Sequence, residues 1–438
     1  MYWLSKSFHL ANRARRRLLI LFAVVGPGII TMVADNDAGG ISTYAVTGAK
    51  YGFKLLWLLV ILLPMAYYIQ EMTVRLGAVT KRGYAEAIFE GFGGFWGWFS
   101  LADLAVVNWL TLITEYVGMT AAMSMFGIPP WLTVFGVTAV LVAVVMTGKY
   151  WTFEKLTLLF CAFNVVYVPA AFWAMKSPTA PGWGAVWHGL FVPTLASGNL
   201  GDFLFIILAV IGTTITPWQI FFQQSSVVDK GLDLHDIKFG KIDTFAGSLL
   251  TCLVAAFIII TTGAAFHYHD PPIHIEDAKQ TAEALVPLLP HAQGHMARTL
   301  FAIGLFDAGF LGALCISLST SWAMGEVFGW AHSLNRSIKQ APWFYVLYTF
   351  MLLSAGLVVL IPNAPLITIT MFVQVVAVTL LPSVLLFLLI MLNDPQFMGE
   401  YVNTRWQNLA NGSIVAFVTL MSTLFALTTL FPGFFGVK

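Results

Sequence analysis

Charge is scarce in this 438-residue sequence: 22 Lys and Arg and 21 Asp and Glu make up 10% of the chain, where ordinary soluble domains carry about 25%. A soluble fold of this size has no other means of covering its surface. The shortage is concentrated in long gaps. No Asp, Glu, Lys, Arg or His occurs between Glu115 and Lys149, or between Lys339 and Asp394. A membrane span needs about 20 apolar residues, so each gap has room for one or two. Cysteine is scarce as well. Cys161, Cys252 and Cys315 lie singly in apolar runs, which excludes a disulfide framework and a cysteine-built zinc site. The net charge of +1 gives no basis for binding nucleic acid. No nucleophile elbow, phosphate loop or dinucleotide fingerprint occurs in a credible context, so an enzyme is not expected.

What is present is hydrophobic residue in abundance, 58% of the chain. Hydropathy predicts eleven spans, near 18–50, 55–74, 96–124, 130–148, 155–176, 200–228, 242–266, 297–325, 343–361, 367–392 and 408–431. Arg13, Arg15, Arg16 and Arg17 precede the first run like the basic region of a signal peptide. That run outlasts a signal's usual apolar core, so an uncleaved first span is expected. With the N-terminus cytoplasmic, 16 Lys and Arg fall inside and 6 outside. The excess places the C-terminus outside, in a multi-pass protein expected in a bacterial inner membrane. No separate soluble domain is expected: residues 1–438 form one transmembrane unit.

Two spans are interrupted. The first breaks at Asp35-Asn36-Asp37-Ala38-Gly39-Gly40 and the sixth at Gly212-Thr213-Thr214-Ile215-Thr216-Pro217. Breaks five spans apart suit two five-span halves of opposite topology, and such paired breaks point to a transporter's substrate site. These halves would cover 18–176 and 200–392, with 408–431 as an extra helix. Carboxylates at membrane depth need a cavity, a partner or a cation. The unwound backbone beside Asp35 and Asp37 frees carbonyl oxygens, and carboxylate plus carbonyl is a donor set for hard cations. Thr213, Thr214, Thr216 and Gln219 add neutral oxygens around Pro217. Taken alone, those threonines are better explained by bonds to their own preceding turn; paired with the first-span break, the functional reading becomes the better one.

Glu115 and Asp103 in the third span and Asp307 in the eighth are further intramembrane acids, candidates for a proton or ion path. Gln374 could reach a bound ion or bond a neighbouring helix. His267, His269, His274, His291 and His295, with Asp270, Glu276 and Asp277, crowd the loop 267–296. They lack tight ligand spacing, and a solvated polar loop is expected there.

These residues resemble a known family, the NRAMP divalent-metal transporters. Gly26-Pro27-Gly28 precedes Asp37-Ala38-Gly39-Gly40, which lines up with the family's Asp-Pro-Gly-Asn. The sixth-span segment ending at Pro217 is similar to the family's Met-Pro-His segment. Phe372-Val373-Gln374-Val375-Val376 with Leu381-Pro382, Glu115 before Val117-Gly118, and Asn393-Asp394 through Asn403, Arg405 and Trp406 match in order. The resemblance implies a LeuT-like fold, two inverted five-helix repeats plus an eleventh helix, with a metal at the membrane midplane. Its ligands would fall on Asp37, the Ala34 carbonyl, Gly40, the Thr213 carbonyl and Thr216, with Gln374 nearby.

Departures from the pattern shape the expectation. Gly40 offers no side-chain oxygen where the family has Asn, and Thr216 puts a hydroxyl where it has a Met thioether. A thioether favours softer metals, and an all-oxygen shell loses that preference. This resembles the NRAMP-related magnesium transporters. Asp35, usually an aromatic position, adds a second negative charge. Trp218 and Leu112 occupy the places of the family's His and third-span Asp, so proton coupling is in doubt. The expectation is therefore a secondary transporter of a divalent cation, Mg²⁺ or Mn²⁺ ahead of Fe²⁺, working by alternating access. It needs no resident cofactor, since the metal is cargo. Its alternative is a LeuT-like carrier of a small organic amine or amino acid.

Overall fold

The computed structural model describes residues 24–194, 200–273, 275, 278–288, 291–362, 366–431 and 433. Regular structure among them is helical throughout. The spans are α1 (Pro27–Val33) with α2 (Ala38–Tyr51), α3 (Leu56–Thr80), α5 (Gly94–Ser124), α6 (Pro130–Val145), α7 (Tyr150–Phe163) with α8 (Tyr167–Ala174), α10 (Leu200–Thr214) with α11 (Pro217–Lys230), α12 (Ile237–Thr262), α14 (His291–Phe328), α15 (Pro342–Val359), α16 (Leu366–Met391) and α18 (Arg405–Leu430). Between them lie α4 (Tyr84–Phe92), α9 (Trp183–Phe191), α13 (Ala278–Leu288) and α17 (Pro395–Met398). Within the described residues, each expected span coincides with helix. Among the described residues, seven stretches are long and apolar enough by themselves to cross a membrane, or eight with the bent pair after Leu381. α6 falls short at 16 residues, about 24 Å of helix.

The loop expected over 267–296 contains structure that its polarity concealed. α12 continues into a π-helical turn, Gly263–His267, and α13 follows. His267 Nδ1 lies 3.3 Å from the Ala49 carbonyl and His269 Nδ1 lies 2.9 Å from the Pro271 carbonyl. His274, Glu276 and Asp277, and the side chain of His291, are outside the described residues.

Two long helices form the centre. α5 packs closely on α14 and on α2 because glycines let the backbones approach, as helices in lipid require. A methyl at Gly309 of α14 would lie 2.9 Å from the Glu115 carbonyl, and one at Gly118 of α5 would lie 2.3 Å from Ala38 Cβ. Asn108 Nδ2 donates to Thr320 Oγ1 at 2.9 Å. This packing fixes the depth of Glu115.

The short α1 is held from its flanks. Gly26 has φ +153°, and a Cβ there would run into the Glu154 carboxylate. Pro27 opens the helix, where its missing N–H costs nothing. Asp243 of α12 accepts from Gly28 N at 2.6 Å and Ile29 N at 3.3 Å, satisfying donors that a helix start leaves free. Lys230, at the end of α11, donates to Glu154 Oε1 at 2.5 Å and to the carbonyls of Val24 and Val25 at 3.0 Å each. Asp243→Ala leaves buried N–H groups without acceptors. It should cost about 1–3 kcal/mol, read as a lower melting temperature of the purified protein; an unchanged melt would show that α1 needs no cap.

A second ionic knot joins α3, α12 and the segment before α18. Glu71 and Arg75 are both 4% exposed and pair at 3.2 Å, and Lys241 reaches Glu71 at 2.8 Å. Arg75 also donates to the Tyr401 carbonyl at 3.1 Å and to Asn403 Oδ1 at 2.6 Å. A buried pair of this kind contributes mainly by fixing which elements meet, since desolvation offsets much of its attraction.

Candidate metal-transport site

α1 ends at Val33 and α2 starts at Ala38, leaving Ala34–Asp37 outside either helix. Asp37 caps α2, its Oδ1 accepting from Gly40 N at 2.6 Å, the role for which a short carboxylate is favoured. In an unbroken helix the Ala38 N–H would bond the Ala34 carbonyl. Here it goes to Glu115 Oε2 at 3.0 Å, so the Ala34 carbonyl is released. Ala38, Gly39 and Gly40, expected within the break, form the first turn of α2 instead, because Asp37 supplies their cap.

The other break lies at Ile215 and Thr216. Pro217 has no N–H, so the Thr213 carbonyl loses its partner four residues on. Thr216 N donates to Gln219 Oε1 at 3.1 Å, and Gln70 Nε2 meets the same oxygen at 3.4 Å. The neutral oxygens around Pro217 are thus partly committed to shaping the break.

The breaks meet. Thr216 Oγ1 donates to Asp35 Oδ1 at 3.1 Å, and Tyr44 of α2 shares a 2.8 Å hydrogen bond with Thr214 Oγ1. A methyl at Gly40 would sit 3.2 Å from the Asp35 carbonyl, Asp37 Oδ1 and Thr213 Oγ1 alike. Gly40 therefore borders a cluster of oxygens from both broken helices, and the Thr213 hydroxyl as well as its carbonyl belongs to that region. Gly312 of α14 closes one side: a methyl there would be 2.8 Å from Glu115 Oε2 and 3.2 Å from Asp37 Cβ.

The electrostatics are one-signed. Asp35, Asp37 and Glu115 are buried, and among the described residues none has a Lys or Arg partner. Asp35 Oδ2, Asn36 Oδ1 and Glu115 Oε1 are buried without a hydrogen-bond partner among the described residues. Buried carboxylates left in that condition are costly. A cation with oxygen ligands relieves the cost. Among the described residues no three His, Cys, Asp or Glu gather as a metal cage. The donors on hand are carboxylates diluted by hydroxyl and carbonyl oxygens, which suits an ion that must leave again.

The other candidates are placed apart. Gln374 belongs to α16, but its side chain is outside the described residues. Asp103 lies twelve residues before Glu115 on α5, about 18 Å along the axis, and is half-buried. Asp307 is buried on α14 and accepts from Asn164 Nδ2 at 3.0 Å; it does not join the Asp35 cluster. Residues that sequence reasoning missed are Tyr44, Gln70, Asp243 and Gly312. The Gly304, Ala308 and Gly312 spacing on α14 was a readable sign of close helix contact. Asp243, an acid inside an expected span, was readable as well.

The family described as natural resistance-associated macrophage protein-like (Nramp) matches residues 28–428. The chain is 26% identical to "Divalent metal cation transporter MntH" of Klebsiella pneumoniae over 94% of its own length and 95% of that protein's. The same figure holds for the protein of that name in Listeria innocua, with 94% and 90% covered. Among solved structures, a manganese transporter of Eremococcus coleocola superposes with a TM-score of 0.80 at 22% identity, covering 95% of this chain and 88% of that one. A Na⁺-coupled sialic acid symporter reaches 0.62 at 12% identity. The fold is therefore the LeuT-like one, its first and sixth helices broken, and the chain belongs to the Nramp family.

Proposed function

We propose that this protein carries a divalent metal cation across the membrane by alternating access, bound where the two broken helices meet. The observation that carries the reading is the buried Asp35 carboxylate beside Asp37, its Oδ2 without a partner among the described residues, with oxygens of both breaks around Gly40. Asp37 is the central ligand and Asp35 the auxiliary charge. The Ala34 and Thr213 carbonyls are donors that the breaks release, and Thr216 and Gln374 complete or orient the shell. Mg²⁺ and Mn²⁺ are the leading cargoes, with Fe²⁺ behind them, because the shell is built of oxygen alone. An organic amine carrier is not favoured, since relatives along the whole chain bear divalent-metal names.

Leu112 and Trp218 hold no titratable group, so no proton passes through those two positions. Purified protein in liposomes tests the proposal directly, with Mg²⁺, Mn²⁺ and Ca²⁺ uptake followed beside an internal pH dye. Entry of none of the three would overturn it, and acidification stoichiometric with uptake would show that a group other than residues 112 and 218 carries the proton.

Thr216→Met tests the selectivity argument. It replaces a hydroxyl with a thioether at a position 3.1 Å from Asp35. Preference for Cd²⁺ over Mg²⁺ in competition uptake should rise about tenfold, the scale on which a neighbouring ligand group changes metal affinity. An unchanged ratio would mean that residue 216 does not face the ion.

A further inference from the structure

The eighth-span acid stands in a polar pocket of its own. The fifth span is interrupted: α7 ends at Phe163, a 3₁₀ turn covers Asn164–Val166, and α8 resumes at Tyr167. Pro169 helps to cause this, since it lacks the N–H that the Val165 carbonyl would take in a continuous helix. The turn presents Asn164 and Tyr167, three residues apart and so on one face, to α14. Asn164 Nδ2 donates to Asp307 Oδ2 at 3.0 Å. Tyr167 packs on α14 so closely that a methyl at Gly304 would lie 2.5 Å from its hydroxyl, one turn from Asp307. All three residues are at most 3% exposed.

Each of the three then has an oxygen with nothing to bond. Asp307 Oδ1, Asn164 Oδ1 and the Tyr167 hydroxyl are all buried without a hydrogen-bond partner among the described residues. Among the described residues, the titratable groups that face Asp307 are Tyr167 and Cys161, both neutral when protonated, and no ion pair includes it. Buried polar atoms in native proteins are paired by protein, water or an ion. Three unpaired oxygens on two adjoining helices are the donor set of an oxygen-coordinated cation.

This pocket is not the one at Asp37. Gly312, which touches Asp37 and Glu115, lies five residues beyond Asp307 on α14. That is about 7.5 Å along the helix and about 140° around it. The two acids therefore address different faces. A single carboxylate with two neutral oxygens balances a charge of one, where the central site offers two aspartates.

We infer that the cluster formed by Asp307, Asn164 and Tyr167 binds a sodium ion, separately from the carried divalent metal. Asp307 is the charged ligand, and Asn164 Oδ1 and the Tyr167 hydroxyl are the neutral ones. The inference rests on the transport reading only for its consequence, that occupancy by this ion accompanies the metal's passage. Binding itself is testable without transport.

The test uses the full-length protein in detergent and in liposomes. In detergent, thermal melts are compared in sodium and in choline chloride at one pH, then across mildly acidic to mildly alkaline buffer without sodium. A sodium-dependent rise supports the inference, and a rise that follows acid but not sodium would overturn it, since protonation of Asp307 would then replace the ion. Asp307→Asn should weaken the sodium dependence by about tenfold or more, as loss of the charged ligand requires, while calorimetric Mn²⁺ binding at the central site persists. Tyr167→Phe, which changes one atom, should weaken it to a smaller degree and serves if Asp307→Asn fails to fold. In liposomes the same ion, applied as an inward gradient, should speed Mn²⁺ uptake in the parent and not in the variants. A parent whose melting and uptake ignore sodium would overturn the inference, as would variants that keep the full response. Failure of Mn²⁺ binding in the parent would instead count against the central site.

Discussion

Asp37→Asn should leave a folded protein that no longer transports. The substitution keeps a side-chain oxygen where Oδ1 accepts the 2.6 Å bond from Gly40 N, and asparagine caps helices about as well as aspartate. What it removes is the charge. A buried charge contact broken from one side costs about 3–5 kcal/mol, so metal affinity should fall at least a hundredfold or so. Isothermal titration with Mn²⁺ and liposome uptake should agree, with the melting temperature close to the parent's. Asp35→Asn, next in the chain, should do less. Asp35 already spends one oxygen on the Thr216 hydroxyl and offers the other to the ion. If Asp37→Asn binds Mn²⁺ as the parent does, the central-ligand assignment is wrong. If it merely unfolds, Asp37 serves α2 before it serves the metal.

What could be read from the sequence follows the physics of each signal. The spans were legible because every apolar run had to be long, and charge had to be pushed to the ends. α6 was legible as a span and its start at Pro130 was too; only its end differs, since the turn after Val145 trims it to 16 residues. α4, α9 and α13 were missed because short helices beside a membrane lack the apolar length that hydropathy detects. The breaks were visible through Asp, Gly and Pro in apolar surroundings, and they meet as paired breaks should. Their limits were less visible, because Asp37 caps the helix that Ala38-Gly39-Gly40 was expected to interrupt. Sequence spacing says which residues favour a break. It does not say which distant side chain takes the freed N–H.

Glu115 is that side chain, and Glu115→Leu should close the first break. Its Oε2 takes the Ala38 N–H at 3.0 Å, the donor that an unbroken helix would return to the Ala34 carbonyl. With leucine the N–H loses its acceptor in a buried setting, a loss of about 1–3 kcal/mol. The cheapest repair is the intrahelical bond four residues back. That repair withdraws the Ala34 carbonyl from the site and turns Asp37 out of its capping position. A ligand displaced by an ångström can cost about a hundredfold, and Mn²⁺ uptake should fall on that scale. Glu115→Gln is the informative partner. Its amide oxygen can still accept from Ala38, so the break should survive and uptake should stay within about tenfold of the parent. Amide exchange at Ala38, followed by mass spectrometry of the peptide that contains it, should be altered in the leucine variant and close to the parent's in glutamine. Equal loss of uptake in both variants would mean that Glu115 acts through its charge. A full loss in leucine alone would mean that a third-span carboxylate, 77 residues away in sequence, keeps the first helix broken and the metal's carbonyl ligand free.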